Sequence, residues 1–183
     1  MKTNLFLITL LLALNTSLFS QEIPPAPANK AVVYFVRATS YGFAINFSYF
    51  DSTKLIGIFA GKGYFRYECE PGTHLFWARS ENKDFIEAHL EAGKIYFIDV
   101  IVQMGWVKAQ VSIDPIDGKN PKKMKGILKV LAKKTPETFT EDELTSRASE
   151  FNDVVARGMA KHKEDLEKGN SIKQLEASMF YTK

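Results

Sequence analysis

Between Lys30 and Ile113, short runs of aromatic and β-branched residues alternate with polar turn residues about every eight to twelve positions, the spacing of an all-β sandwich or barrel. The pattern predicts strands over Ala31–Arg37, Phe43–Phe50, Lys54–Phe59, Tyr64–Cys69, Thr73–Ser80, Phe85–Glu91, Ile95–Gln103 and Trp106–Ile113. Chain-reversing residues separate most of them: Asp51-Ser52-Thr53, Gly61-Lys62-Gly63, Glu70-Pro71-Gly72, Glu81-Asn82-Lys83 and Glu91-Ala92-Gly93-Lys94. No helical period interrupts the series, so the expected fold is mainly β, an antiparallel immunoglobulin-like β-sandwich over 30–116. Thr73–Ala78 and Ile95–Val102 are apolar on both faces and therefore need a cover on the second face.

From Asp117 the period changes, and residues 117–183 read as an α-helical C-terminal extension. Asn120 before Pro121 opens a helix whose apolar face is Met124, Ile127, Leu128 and Leu131, and Thr135-Pro136 stops it. Thr140 and Glu143 form a capping box, flanked by Phe139 and Leu144 at the positions of a hydrophobic staple. The stripe that follows is Leu144, Ala148, Phe151, Val155, Met159, His162 and Leu166, with Gly158 as a weak point costing about 1 kcal/mol relative to alanine. This helix, over about 141–168, is the expected cover for the sheet face carrying Leu75 and Trp77. Ser171 with Gln174 predicts a short last helix bearing Ile172, Leu175 and Met179.

At the other end, Lys2 and the apolar run Leu5–Leu14 have the layout of a secretory signal peptide over 1–20, too short in its apolar part to anchor in a bilayer. The expected mature chain starts near Gln21, is exported to the periplasm or the exterior, and is not lipid-anchored, since no cysteine follows the apolar run. Residues 21–29 (QEIPPAPAN) read as a proline-rich linker outside any core. The mature chain is of one-domain size. Cys69 is the only cysteine and reads as a small core residue on a strand, leaving no disulfide within the chain.

The segments Val33-Tyr34-Phe35-Val36-Arg37, Gly63-Tyr64-Phe65, Glu70-Pro71-Gly72-Thr73-His74 and Glu91-Ala92-Gly93-Lys94-Ile95-Tyr96 occur in that order. Together they resemble a bacterial exported domain of unknown function, number 2846 in that series, and the Pro-Gly-x-His step is similar to the small β-sandwich modules called PEGA domains. The resemblance covers about Lys30 to Ile113. It implies an extracytoplasmic, PEGA-like β-sandwich and brings no assigned activity, so no catalytic residue carries over. Many members of that family carry a lipid-attachment cysteine, a pattern this chain departs from.

The chemistry is sparse. No catalytic, cofactor-binding or metal constellation is present: the three histidines are scattered, zinc spacing is absent, and alternation puts His74 and His89 on opposite faces of their hairpin. His74 reads as a satisfied structural histidine and His162 as a packing residue. Asp99 interrupts an apolar strand, and a buried carboxylate is costly unless paired, so an ion pair with Arg37, Arg79 or His74 is expected. Trp77 reads as helix-covered core rather than a sugar-stacking platform. The net charge of +3 does not by itself imply a polyanionic partner. Yet seven lysines and no acids lie between Lys119 and Lys134, among them Lys122, Lys125 and Lys129. That face reads as solvated or neutralised by Glu141-Asp142-Glu143, with an anionic membrane surface or polymer as the alternative contact for the basic helix 120–134.

The function these observations predict is a non-enzymatic interaction or structural module of the bacterial cell envelope, with an envelope protein as partner and no nucleic acid. The alternatives are a small-molecule or glycan-binding domain and, more weakly, membrane-surface association.

Overall fold

The computed structural model describes residues 23–104 and 109–182; the expected signal segment, Gln21 and Trp106 lie outside them. Strands β1 (Ala31–Arg37), β2 (Asn46–Asp51), β3 (Lys54–Ala60), β4 (Gly63–Cys69), β5 (Gly72–Arg79), β6 (Lys83–Leu90), β7 (Ile95–Met104) and β8 (Ala109–Ile116) each overlap a strand read from the sequence. Helices α1 (Pro121–Leu131), α2 (Glu141–Ala148) and α3 (Asn152–Glu167) and a short strand β9 (Lys173–Leu175) complete the chain. The first sheet has the order β4-β1-β7-β8 and the second β3-β2-β5-β6-β9.

Alternation along the strands sorts side chains into three apolar layers. Val33, Phe35, Tyr49, Phe65, Phe76 and Ile98 lie between the sheets. Val32, Tyr34, Val36 and Phe97, on the outer face of the first sheet, pack against Met124, Ile127 and Leu131 of α1. On the outer face of the second sheet, Phe50, Leu55, Trp77 and Phe85 meet Phe151 and Val154. The molecule is thus a β-sandwich covered by helices on both outer faces. β1 lies in the middle of two such layers, and all seven of its residues are buried.

The sheets are mixed rather than purely antiparallel. β1 pairs with β7 in parallel, Val32 opposite Ile95 through Val36 opposite Asp99. β6 pairs in parallel with β9. That short strand replaces the predicted last helix: Lys173–Leu175 is too short to show a period, and Leu175 is fully buried because the β6 edge receives it. The second predicted strand begins three residues later than expected, at Asn46, since 38–45 form a loop. The proline-rich segment is not outside the core, because Ile23 and Ala26 pack onto the α1 layer.

The residues after Ile116 encircle the sandwich. α1 starts beside the end of β8 and crosses the first sheet; the chain then runs down the β4 edge, where the Glu137 amide donates to the Tyr64 carbonyl (2.8 Å) and Phe139 packs on Phe65. The capping box forms as predicted: the Thr140 hydroxyl accepts from the Glu143 amide, and the Glu143 carboxylate accepts from the Thr140 amide. A 3-10 turn at Ser149–Phe151 rotates the helix, so the buried face of α3 is Val154, Gly158 and Asp165, while Leu166 is exposed. Gly158 is therefore a requirement, not a weak point: a Cβ there would lie 2.6 Å from the Trp77 indole. After β9 the chain closes on its own start, with the Gly118 amide donating to the Met179 carbonyl (2.9 Å) and the Tyr181 amide to the Ile95 carbonyl (2.7 Å).

Candidate functional site

α1 carries its lysines on the side away from the sheet. Met124, Ile127, Val130 and Leu131 are buried, and Lys122, Lys125 and Lys129 recur three and four residues apart on the opposite, exposed face, continued by Lys133 and Lys134. Among the described residues none of these five has an acidic partner. The expected neutralisation by Glu141-Asp142-Glu143 does not occur, because α1 covers the first sheet and α2 the second; Glu141 instead reaches Lys54 (3.4 Å) and Glu143 caps its own helix. No acid occupies the first turn of α1, so Lys122 and Lys123 lie unopposed at the positive end of the helix dipole. Asn120 alone caps it, its Oδ1 accepting from the amides of Lys122 and Lys123 (3.1 and 3.2 Å). Lys119 rests over the Phe180 ring, 4.5 Å from its centroid.

Arg37 is fully buried at the end of β1 and has no carboxylate partner among the described residues. Its guanidinium donates to the carbonyls of Ile45 (2.9 Å), Tyr41 (3.0 Å) and Gly42 (2.6 Å) and lies over the Phe47 ring. Burial lowers its pKa from the usual value. The expected Asp99 pair with Arg37 fails for a register reason. Asp99 lies beside Val36, which faces α1, and Arg37, one residue on, faces the core. Arg79 and His74 belong to the other sheet. Asp99 instead faces Asp114 across β7 and β8, and burial, then the Asp114 charge, raise its carboxyl above the ordinary range.

The cation near this edge is Lys173, which sequence reasoning did not single out. It bridges Asp84 and Asp114 (both 2.7 Å) and donates to the Ile113 carbonyl (2.9 Å). Asp84 accepts from the Ile113 amide (2.8 Å), and Asn82 pairs with both backbone groups of Val111 (2.8 Å each). Side chains from the second sheet thereby satisfy the free edge of β8, closing the sandwich at a place where an open strand would otherwise invite pairing with another chain.

His74 is held at both ring nitrogens. Its Nδ1 donates to Asp51 (2.7 Å), which also accepts from the Tyr67 hydroxyl (3.2 Å), and its Nε2 donates to the Glu70 carbonyl (2.9 Å). With both ring nitrogens donating, the imidazolium is favoured: the bond to Asp51, then contact with Cys69, raise its pKa to about 10. A ring held charged this way has no lone pair with which to take a proton from the buried Cys69 thiol. His89 bonds Thr73 on the opposite face, and His162 meets Glu87 (3.3 Å). Among the described residues no group of three His, Cys, Asp or Glu could hold a metal.

Trp77 is fully buried, stacked on Phe50 with centroids 4.0 Å apart and its Nε1 donating to the Ser52 carbonyl (2.8 Å). Tyr64 is buried as well. A cleft of about 460 Å³ lies between β3, β4 and the segment leading to α2. Four of its five charged lining residues are paired, Lys54 with Glu141 and Arg66 with Glu68, and the fifth is Glu137.

The exposed aromatics lie elsewhere. Phe43 is 74% and Tyr41 49% exposed, both on the loop that Arg37 holds. The sequence signal for that loop was Thr39-Ser40 before Tyr41-Gly42, turn residues overshadowed by the aromatic run that follows. No family model matches the chain, and no curated protein or solved structure matches it.

Proposed function

We propose that this is an exported, non-enzymatic binding module of the bacterial envelope, related to the domain of unknown function it resembles, whose contact face is the lysine strip of α1. The observation that carries this reading is the strip itself: Lys122, Lys125, Lys129, Lys133 and Lys134 exposed, without acidic partners among the described residues, on a helix whose other face is fixed to a sheet. Such a row on rigid backbone presents charge at fixed spacing to a polymer or surface bearing phosphates, sulfates or carboxylates. The histidine geometry supports the non-enzymatic part, since the one Asp–His–Cys cluster holds its imidazole as a cation.

Calorimetric titration of the mature protein with dextran sulfate tests the reading. Binding that weakens steeply as salt rises is expected. No heat and no salt-dependent binding would reject the lysine strip as a contact face.

A further inference from the structure

We infer that the loop 38–45 is a membrane-contacting tip, seating Phe43 and Tyr41 in the interfacial region of an anionic lipid bilayer while the neighbouring lysines engage the headgroups. This rests on the anion-binding reading and names its partner.

Three observations converge. The first is exposure: of the three large apolar side chains left in solvent among the described residues, Phe43 and Tyr41 lie two positions apart on one loop, and Leu166 is on α3. The second is rigidity. The buried Arg37 donates to three loop carbonyls, the Ile45 amide donates to the Gly42 carbonyl (2.9 Å), and the Thr39 hydroxyl accepts from the Tyr41 amide (3.1 Å). Gly42 adopts φ +64°, and a Cβ there would lie 2.9 Å from Ile45 and 3.1 Å from Val102. Burying a guanidinium away from any carboxylate is costly. Here that cost holds a loop in one shape, with its aromatics pointing out rather than into the core.

The third is electrostatic. The Gly61-Lys62 turn lies against the loop, with the Gly61 Cβ position 3.5 Å from the Phe43 carbonyl. α1 ends at this same end of the sandwich, because the chain leaving it rejoins β4 at Tyr64, next to the Gly63 that opposes Arg37. Ala38 packs into the α1 layer. Lys62, Lys133 and Lys134 therefore share an end with the aromatic pair. Amphipathic rings flanked by lysines match the lipid interface, where rings enter the headgroup region and each lysine near an anionic surface strengthens partition about fivefold. No described helix is long and apolar enough to cross a membrane.

The test is sedimentation of the mature protein with phosphatidylcholine vesicles containing about one-third phosphatidylglycerol, against pure phosphatidylcholine vesicles. Wild type should partition onto the anionic vesicles only. The double variant Tyr41→Ser/Phe43→Ser should lose about tenfold or more in partition, with dextran sulfate binding and melting temperature unchanged. Leu166→Ser, removing the exposed apolar side chain on α3, should partition like wild type. Equal partition of wild type and the double variant would overturn the loop's role and leave the lysine reading standing. Binding to dextran sulfate without vesicle binding would overturn the membrane as partner, again sparing that reading. Absence of both would overturn the two together.

Discussion

The two helical covers do the same packing work with opposite surfaces. α1 buries the outer face of the first sheet and leaves its lysines without acidic partners among the described residues. The second cover buries Trp77 and Phe85 and pairs most of its cations: Lys161 with Asp165, Lys163 with Glu167, Lys168 with Glu164, Arg147 with Glu150 and His162 with Glu87. Covering a sheet thus requires no row of free cations. What sets α1 apart is the charge it presents outward.

The largest expected effect separates the covers by their glycines. Gly158→Val should cost about 3 kcal/mol, because the new side chain must push α3 off Trp77; thermal melting should fall by roughly 6–12 °C, with a red shift of tryptophan emission. Gly126 in α1 has nothing within 4 Å of its Cβ position. Gly126→Ala should instead raise stability by up to about 1 kcal/mol. A neutral Gly158→Val would mean that α3 does not rest on the indole.

Next in size is the seam that ties the second sheet, beneath the second cover, to the edge of the first. Asp84→Ala leaves the Ile113 amide without its acceptor and Lys173 with Asp114 as its remaining carboxylate, and should cost about 2 kcal/mol by denaturant unfolding. Paired with Lys173→Ala in a double-mutant cycle, it should be strongly non-additive; additive losses would show that the seam is incidental.

A smaller effect belongs to neither cover. The His74 pKa of about 10 lies above that of the unfolded chain, near 6.5. Its pair with Asp51 therefore stabilises fully below about pH 6.5 and is lost as pH rises towards 10. About 1–2 kcal/mol should disappear across that window, less than the whole shift would give because the pair keeps some solvent contact. His74→Gln should flatten this slope, whereas charge reversals on either cover should leave it in place. A slope that survives His74→Gln assigns it to another group.

Much of this architecture was legible in the chain. The eight strands, the Asn120 cap and the Thr140–Glu143 box follow from alternation and capping chemistry that act over a few residues. Trp77 was readable as covered core because its strand is apolar on both faces. Pairing partners were not legible. The parallel registers of β1 with β7 and β6 with β9 join segments far apart in sequence, and they decide that Asp99 meets Asp114 rather than Arg37. Local signals were also silent on Lys173, whose three-residue strand has no period to detect. The lysine run could be seen at once, but whether Glu141-Asp142-Glu143 neutralised it depended on which sheet each helix covers.

The central claim is that the outward charge of α1, unlike that of the second cover, is a binding surface. The direct measurement compares two triple reversals in one titration with dextran sulfate: Lys122→Glu, Lys125→Glu and Lys129→Glu on α1, against Arg147→Glu, Lys163→Glu and Lys168→Glu on the second cover. The net charge change is identical. The α1 variant should lose at least about tenfold in affinity, with Lys122→Glu adding stability at the helix N-terminus, while the second-cover variant binds nearly as tightly as wild type. Equal losses in both would show that only the overall charge matters and would contradict the claim.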